Sequence, residues 1–442
     1  MNPRKEAVRL LDRTFEDDGY ANRLLDASLS RFDGNPQDKG LLTELFYGVL
    51  RHLYLVDEIL DRQASRGVRS IDDKILNILR IAVYQLVFLD RIPPHAAVSE
   101  AVKHVRKARG QRVAGFVNGL LRSLVRSQER GTFSLPEGDD SETLSLLTSH
   151  PLWLTERLVD RLGPELARER LEAHNQPPLL TLRAHRGWGS REKLMQLLEK
   201  EGFSVEATTF AADGLHVLSQ GGRVLQFLTR HHPSSFVVQD EAAQLMAEWL
   251  APKDGEVVLD SCAAPGSKTT HIAGLAPGAS VIGQDIYKHK LKLIDKSCRR
   301  LGLHNITSRL LDAREESGEQ FDRILCDAPC SGLGTLRRHP EIRYRREPED
   351  LPHFARLQTE MLHSLAKQLK PGGVLLYSVC TDTVEENEKV VEKFLEAHPD
   401  WTLDRSIPEH WTPLLSDEGW LRTSPGENEM DAFFAARLIK PA

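Results

Sequence analysis

At 442 residues, with 28% charged residues and a formal net charge of −6, the chain is too long for one ordinary domain and too acidic overall to coat nucleic acid indiscriminately. Its five cysteines (Cys262, Cys298, Cys326, Cys330, Cys380) are odd in number and irregularly spaced, which argues against a disulfide framework. Cys326 and Cys330 form no C-x-x-C pair, and with only His339 nearby no metal is expected.

The Met1-Asn2-Pro3-Arg4-Lys5 start leads into an amphipathic run. No stretch reaches the ~18 uncharged residues of a membrane span, so a cytoplasmic protein without membrane association is expected. Residues 1–135 read as an all-α bundle. Leu42, Leu45, Phe46, Val49, Leu50, Leu53, Val56 and Leu60 recur at three-and-four spacing, as do Ile75, Leu76, Leu79, Ile81, Val83, Leu86 and Val87. From Lys103 to Arg130 there are eight Lys/Arg (including Lys103, Arg106 and Lys107) against Glu129 alone, a stripe that is either a solvated helix face or a phosphate-binding one.

Residues 131–142, rich in Gly, Asp and Ser, read as a linker. Residues 136–236 then form a second region: linker helices to about residue 175, followed by a small α+β subdomain. Its strand-like pieces are Leu179–Leu182, Phe203–Val205 and Leu215–Leu218, around a helix over Arg191–Glu201.

Over 237–442 the rhythm becomes strand, loop, helix. Val257–Leu259 leads to a helix near Lys268, Val281–Gly283 to a helix over Leu291–Leu301, and Leu310-Leu311 to Asp312. Ile324–Cys326 leads to a polar loop and a helix through Leu362 and Leu369, Val374–Tyr377 to a helix over Val384–Leu395, and Phe433–Ile439 closes as an antiparallel strand. Such alternation predicts a doubly wound α/β, Rossmann-like sheet.

Three segments sit where such sheets place reacting groups. The Asp260–Thr269 run joins the first strand to the first helix, with small residues Cys262-Ala263-Ala264-Pro265-Gly266-Ser267-Lys268 that let a nucleotide-like cofactor lie on backbone N–H groups; it is neither a P-loop nor G-x-G-x-x-G, and a plain tight turn is the alternative. Asp285 and Asp312 recur at successive strand ends, suited to ribose hydroxyls and an adenine amino group, or to capping a helix. Cys330, in Asp327-Ala328-Pro329-Cys330-Ser331-Gly332, and Cys380, in Tyr377-Ser378-Val379-Cys380-Thr381, each follow a buried strand. Two small buried apolar residues are the alternative reading of that pair.

Together these segments resemble the Sun (RsmB, Fmu) family of S-adenosylmethionine-dependent RNA cytosine-5 methyltransferases. The helical region is similar to the NusB-type RNA-binding domain of the branch that modifies small-subunit ribosomal RNA. The resemblance implies a class I methyltransferase domain. Its cofactor site would comprise Cys262, Ala263, Ala264, Pro265, Gly266, Ser267, Lys268, Asp285, Asp312 and Asp327. It also implies Cys380 as nucleophile and Cys330 as a helper in product release. Ser267, Val379 and Ala432 stand where the family usually has glycine, threonine and glycine.

Under that reading Asp327 serves the cytosine N3/N4 edge, or merely holds its loop. Thr383-Val384-Glu385-Glu386 reads as a capping box whose helix amides favour an ionised Cys380. The target base must leave its stack, so single-stranded or loop RNA is the expected substrate, with Arg337, Arg338, Arg343, Arg345 and Arg346 holding flanking phosphates. A monomer acting on 16S ribosomal RNA is expected. Transfer RNA as substrate, and a non-catalytic RNA-binding assembly factor, are the competing readings.

Overall fold

The structure, a computed structural model, describes residues 2–16, 19–64 and 67–442; Met1, where the amino-terminal run begins, lies outside them. The chain forms two compact units, residues 1–177 with 336–346, and residues 178–335 with 347–442.

Among its described residues, the regular structure of the first unit is helical. Its helices are Pro3–Glu16, Ala21–Leu29, Pro36–Arg51, Leu53–Gln63, Asp73–Phe88, Pro94–Glu129, Ser141–Thr148, Leu152–Leu162 and Pro164–Asn175. Starts are set by capping side chains: Asn35 accepts the Asp38 N–H with Pro36 in the first turn, and Asp140 accepts the Thr143 N–H. The apolar series from Leu42 to Leu60 is buried as its spacing predicts, but it spans two helices, because the backbone leaves helical geometry at His52 (φ −121°, ψ 27°). Pro94–Glu129 is likewise bent, at Gly110, whose φ of 81° favours glycine. The helices over 141–175 group with this unit rather than with the α+β piece that follows, around Leu144, Leu158, Ala167 and Leu171.

The second unit holds two sheets. In the smaller one, β1 (Leu180–Ala184), β2 (Val205–Ala207), β3 (Gly214–Val217) and β4 (Phe236–Val238) run antiparallel in the order β2-β3-β1-β4. Helices Arg191–Lys200 and Gly221–His231 cover it through Leu194, Leu198, Val224 and Leu228. Three-residue β4 carries too short a pattern to be read from sequence.

The larger sheet comprises β5 (Val257–Asp260), β6 (Ser280–Asp285), β7 (Ile306–Leu310), β8 (Phe321–Asp327), β9 (Leu369–Val379), β10 (Thr402–Leu403), β11 (Leu421–Arg422) and β12 (Phe434–Ile439). The order is β10-β12-β9-β8-β5-β6-β7, with β11 also on β12; β5 to β9 are parallel and β12 is antiparallel to β9. Adjacent residues alternate between two cores. Leu259, Ile324 and Leu375 face one with Phe394, while Val258, Leu325 and Leu376 face the other with Met246, as a sheet covered on both faces requires. The helix expected through Leu369 ends at Lys367, and Leu369 opens β9. Chain order reverses between β6 and β8 on either side of β5, which opens a crevice at the carboxyl ends of these strands.

Candidate active site

That crevice is floored by the loop from Asp260 to the helix Ser267–Leu275. Gly266 turns the chain at φ 101°, and a Cβ there would meet Ile294 Cα at 3.2 Å. A Cβ on Gly283 of β6 would come within 3.0 Å of Thr269 Cγ2, so the bare backbone lets the helix Ser267–Leu275 and the strand close on each other. Asp260 is buried; Thr269 Oγ1 donates to its Oδ2 at 2.7 Å while Oδ1 has no partner. Burial pushes its carboxyl up to about 7. Burial also pushes the Cys262 thiol well above the ordinary range.

Asp285, at the end of β6, accepts the Tyr287 N–H at 2.9 Å, and Ile286 beside it is half exposed. Asp312, in the loop after β7, is engaged by Arg314 through Nη2 at 2.7 Å, which holds its carboxyl below the usual range. An adenine amino group there would share the carboxylate with Arg314. The orphaned buried oxygen of Asp260, the close-packed glycines, and Asp285 beside an exposed apolar side chain fit a nucleoside cofactor with an amino-acid tail.

Lys268 turns away from the loop. Its ammonium donates to Asp327 Oδ2 at 2.7 Å and lies 5.0 Å from the centre of the Phe433 ring, while Ser378 Oγ donates to Asp327 Oδ1 at 2.9 Å. Burial pulls the ammonium down, but Asp327, with Cys380 adding, holds it above its ordinary value. Cys330, from the loop after β8, and Cys380, from the end of β9, meet with Sγ atoms 3.2 Å apart. The hydrogen bond to Cys380, and then burial, hold the Cys330 thiol well above its ordinary value.

Two expectations are corrected here. The helix after Cys380 begins at Glu388, not Val384, and Glu386 does not cap it: its carboxylate is buried and accepts the Ser331 N–H at 2.8 Å. Within the arginine segment, burial takes Arg343 out of the expected phosphate contacts. Arg343 is fully buried and Arg337 nearly so, and Arg338, Arg345 and Arg346 are only partly exposed. Arg343 donates to the carbonyls of Thr148 (3.2 Å), Ser149 (3.3 Å) and His174 (3.5 Å) and to Asn175 Oδ1 (2.8 Å). Arg345 donates to Thr14 and Gly19 carbonyls, and the Tyr344 hydroxyl to those of Leu50 and Ser149. Thr14, Leu50, Thr148 and His174 lie in the last turns of helices, where carbonyls have no partner within the helix; this segment satisfies them. Lys103, Arg106 and Lys107, by contrast, are exposed on Pro94–Glu129.

Three contributors carry no sequence signal of their own: Ser378, Gln358, and Arg183 of β1, whose buried guanidinium bonds the Ser267 carbonyl (2.7 Å) and Thr270 Oγ1 (3.1 Å). Each acts on a residue distant in the chain. Only the resulting contact reveals the role.

A parallel sheet with one antiparallel strand beside its last parallel member, a glycine-turned loop after β5 and an acidic residue ending β6 define a class I S-adenosylmethionine-dependent methyltransferase. Residues 247–439 match the model of the 16S rRNA methyltransferase RsmB/F family, residues 1–126 that of the NusB family, and residues 150–224 that of the ferredoxin-like domain of RsmF/B-like methyltransferases. The chain belongs to the RsmB/F family of 16S ribosomal RNA methyltransferases. It is 37% identical over 445 residues to the probable ribosomal RNA small subunit methyltransferase B of Bacillus subtilis, covering 98% of each chain. It is also 37% identical over 408 residues to ribosomal RNA small subunit methyltransferase B of Escherichia fergusonii, covering 91% of each. Among solved structures, a methyltransferase homolog protein from Pyrococcus horikoshii aligns with a TM-score of 0.58 at 26% identity, over 69% of this chain and 100% of that one. Among the described residues no helix is long and apolar enough to cross a membrane.

Proposed function

We propose that the protein methylates carbon 5 of a cytosine in small-subunit ribosomal RNA through a transient bond from Cys380 to carbon 6. The observation that supports this reading is the meeting of two thiols from two strand ends, 3.2 Å apart, in the unit that also holds the Lys268–Asp327 pair. Carbon 5 of cytosine is too poor a nucleophile to take a methyl group from a sulfonium unaided, and thiolate addition at carbon 6 supplies the missing electron density. S-adenosylmethionine supplies the methyl group. Lys268 interacts electrostatically with Cys380 and is held by Asp327. Asp327 already accepts from Lys268 and Ser378 and keeps lone pairs for the N3/N4 edge of the base.

Transfer of the carbon 5 proton to a solvent water then restores the ring double bond and expels the Cys380 sulfur as a thiolate. Cys330, whose Sγ lies 3.2 Å from that departing sulfur, donates a proton to it and regains one from solvent. A base reaching Cys380 must be unstacked, so the substrate is a single-stranded or loop segment, held in part by the exposed Lys103, Arg106 and Lys107. RNA carrying 5-fluorocytosine at the target blocks loss of the carbon 5 substituent and is expected to leave the nucleotide on the Cys380 peptide. A protein that methylates normal RNA yet yields no shifted mass at that peptide would rule the mechanism out.

A further inference from the structure

Glu386 is fully buried, and the donors to its carboxylate are all neutral. Oε2 accepts the Ser331 N–H at 2.8 Å and Gln358 Nε2 at 3.0 Å; Oε1 accepts the Thr383 hydroxyl at 2.9 Å. The same Gln358 nitrogen also donates to the Pro329 carbonyl at 3.0 Å. The residues on both sides of Cys330 are therefore held, Pro329 through its carbonyl by Gln358 and Ser331 through its N–H by Glu386. Ser331 Oγ meets Thr381 Oγ1 at 2.9 Å, beside Cys380. On the other side, the Tyr377 hydroxyl of β9 donates to the Glu386 backbone carbonyl at 2.5 Å, fixing the Glu386 backbone to the strand that carries Cys380.

An apolar side chain would fill this space without the cost of taking a carboxylate out of water. What it would not do is satisfy the Ser331 N–H and the second hydrogen of the Gln358 amide, both buried. These bonds end on the backbone around Cys330 and on no atom of Cys380, whose own carbonyl is held separately by the Gly334 N–H at 3.0 Å.

We propose that Glu386 is a positioning residue that, through Gln358 and the Ser331 N–H, keeps the Cys330 thiol against the Cys380 sulfur for the release step. This rests on the reading of Cys330 as the release group. Glu386→Ala removes the shared acceptor. Glu386→Gln keeps it, because the amide oxygen can face Ser331 and Gln358 while its nitrogen donates to Thr383 Oγ1.

The test compares the full-length natural protein with Glu386→Ala, Glu386→Gln and Cys330→Ala on target RNA, reading the covalent adduct on denaturing gels beside first-turnover and multiple-turnover methylation. Glu386→Ala is expected to accumulate adduct and lose about tenfold in multiple turnover, with the first turnover within about threefold of natural. Glu386→Gln is expected to stay within about threefold in both and to show no adduct. Where Glu386→Ala does not fold, Gln358→Leu, which frees the Pro329 carbonyl but leaves Glu386 in place, is expected to show the same trapped adduct. An adduct trapped by Cys330→Ala beside clean turnover by the Glu386 and Gln358 variants would overturn the positioning role alone. Parallel loss of both turnovers without adduct would do the same. Clean turnover by Cys330→Ala would overturn the release reading and this inference with it.

Discussion

Residues 327–335 and 336–346 adjoin in the chain, yet their polar side chains find different partners. In the first, Asp327 and Cys330 meet Lys268, Ser378 and Cys380 at the ends of a parallel sheet, and Cys330 and Cys380 remain partly accessible. In the second, Arg343, Tyr344 and Arg345 are engaged by carbonyls in the last turns of helices. The lesson concerns charge runs: five arginines in ten residues look like a phosphate grip only while the acceptors folding will supply are unknown. Helix ends bring unpaired carbonyls in quantity, and a guanidinium with five donors suits them.

The comparison can be broken at its catalytic side first. Cys380→Ser puts a hydroxyl where a thiolate is needed, and methylation of 16S ribosomal RNA is expected to fall by ~10³ or more with the unfolding midpoint unchanged. A serine variant with near-natural turnover would remove the distinction between the two stretches. On the structural side, Arg343→Met leaves the carbonyls of Thr148, Ser149 and His174 without that donor. Denaturant unfolding is expected to show a loss of about 3 kcal/mol. The salt dependence of RNA binding should stay as it was, and a shallower dependence would show that Arg343 meets phosphate after all. The smallest effect sharpens the contrast from a third place. Replacing Lys103, Arg106 and Lys107 together by alanine should reduce the slope of log binding constant against log salt by about 2, at little cost in stability. An unchanged slope would mean that this exposed stripe is merely solvated.

Much of the catalytic unit was legible in the chain because its signals are local. Val258 and Leu259, or Ile324 and Leu325, need only alternate to reach opposite cores, and the Cys262–Lys268 and Asp327–Gly332 segments are each contiguous. What stayed hidden depends on distant partners. Glu386 reads as a cap from its neighbours Thr383 and Val384, but its strongest claim is the Ser331 N–H, 55 residues away. Arg343 finds its acceptors at Thr148 to Asn175 and Arg345 at Thr14, separations at which no periodicity survives. The break at His52 was masked for the opposite reason, since the apolar spacing continues in phase on either side of it.

The turn after Cys330 passes Gly334 between two other strand ends: its N–H reaches the Cys380 carbonyl at 3.0 Å, and its own carbonyl receives the Ala432 N–H at 2.9 Å. A methyl group on Gly334 would sit 2.0 Å from the Ala432 oxygen. A residue with no chemistry of its own thus sets the spacing of this site, and any side chain there would force the turn away from the Cys380 and Ala432 backbones before it altered a single reacting atom.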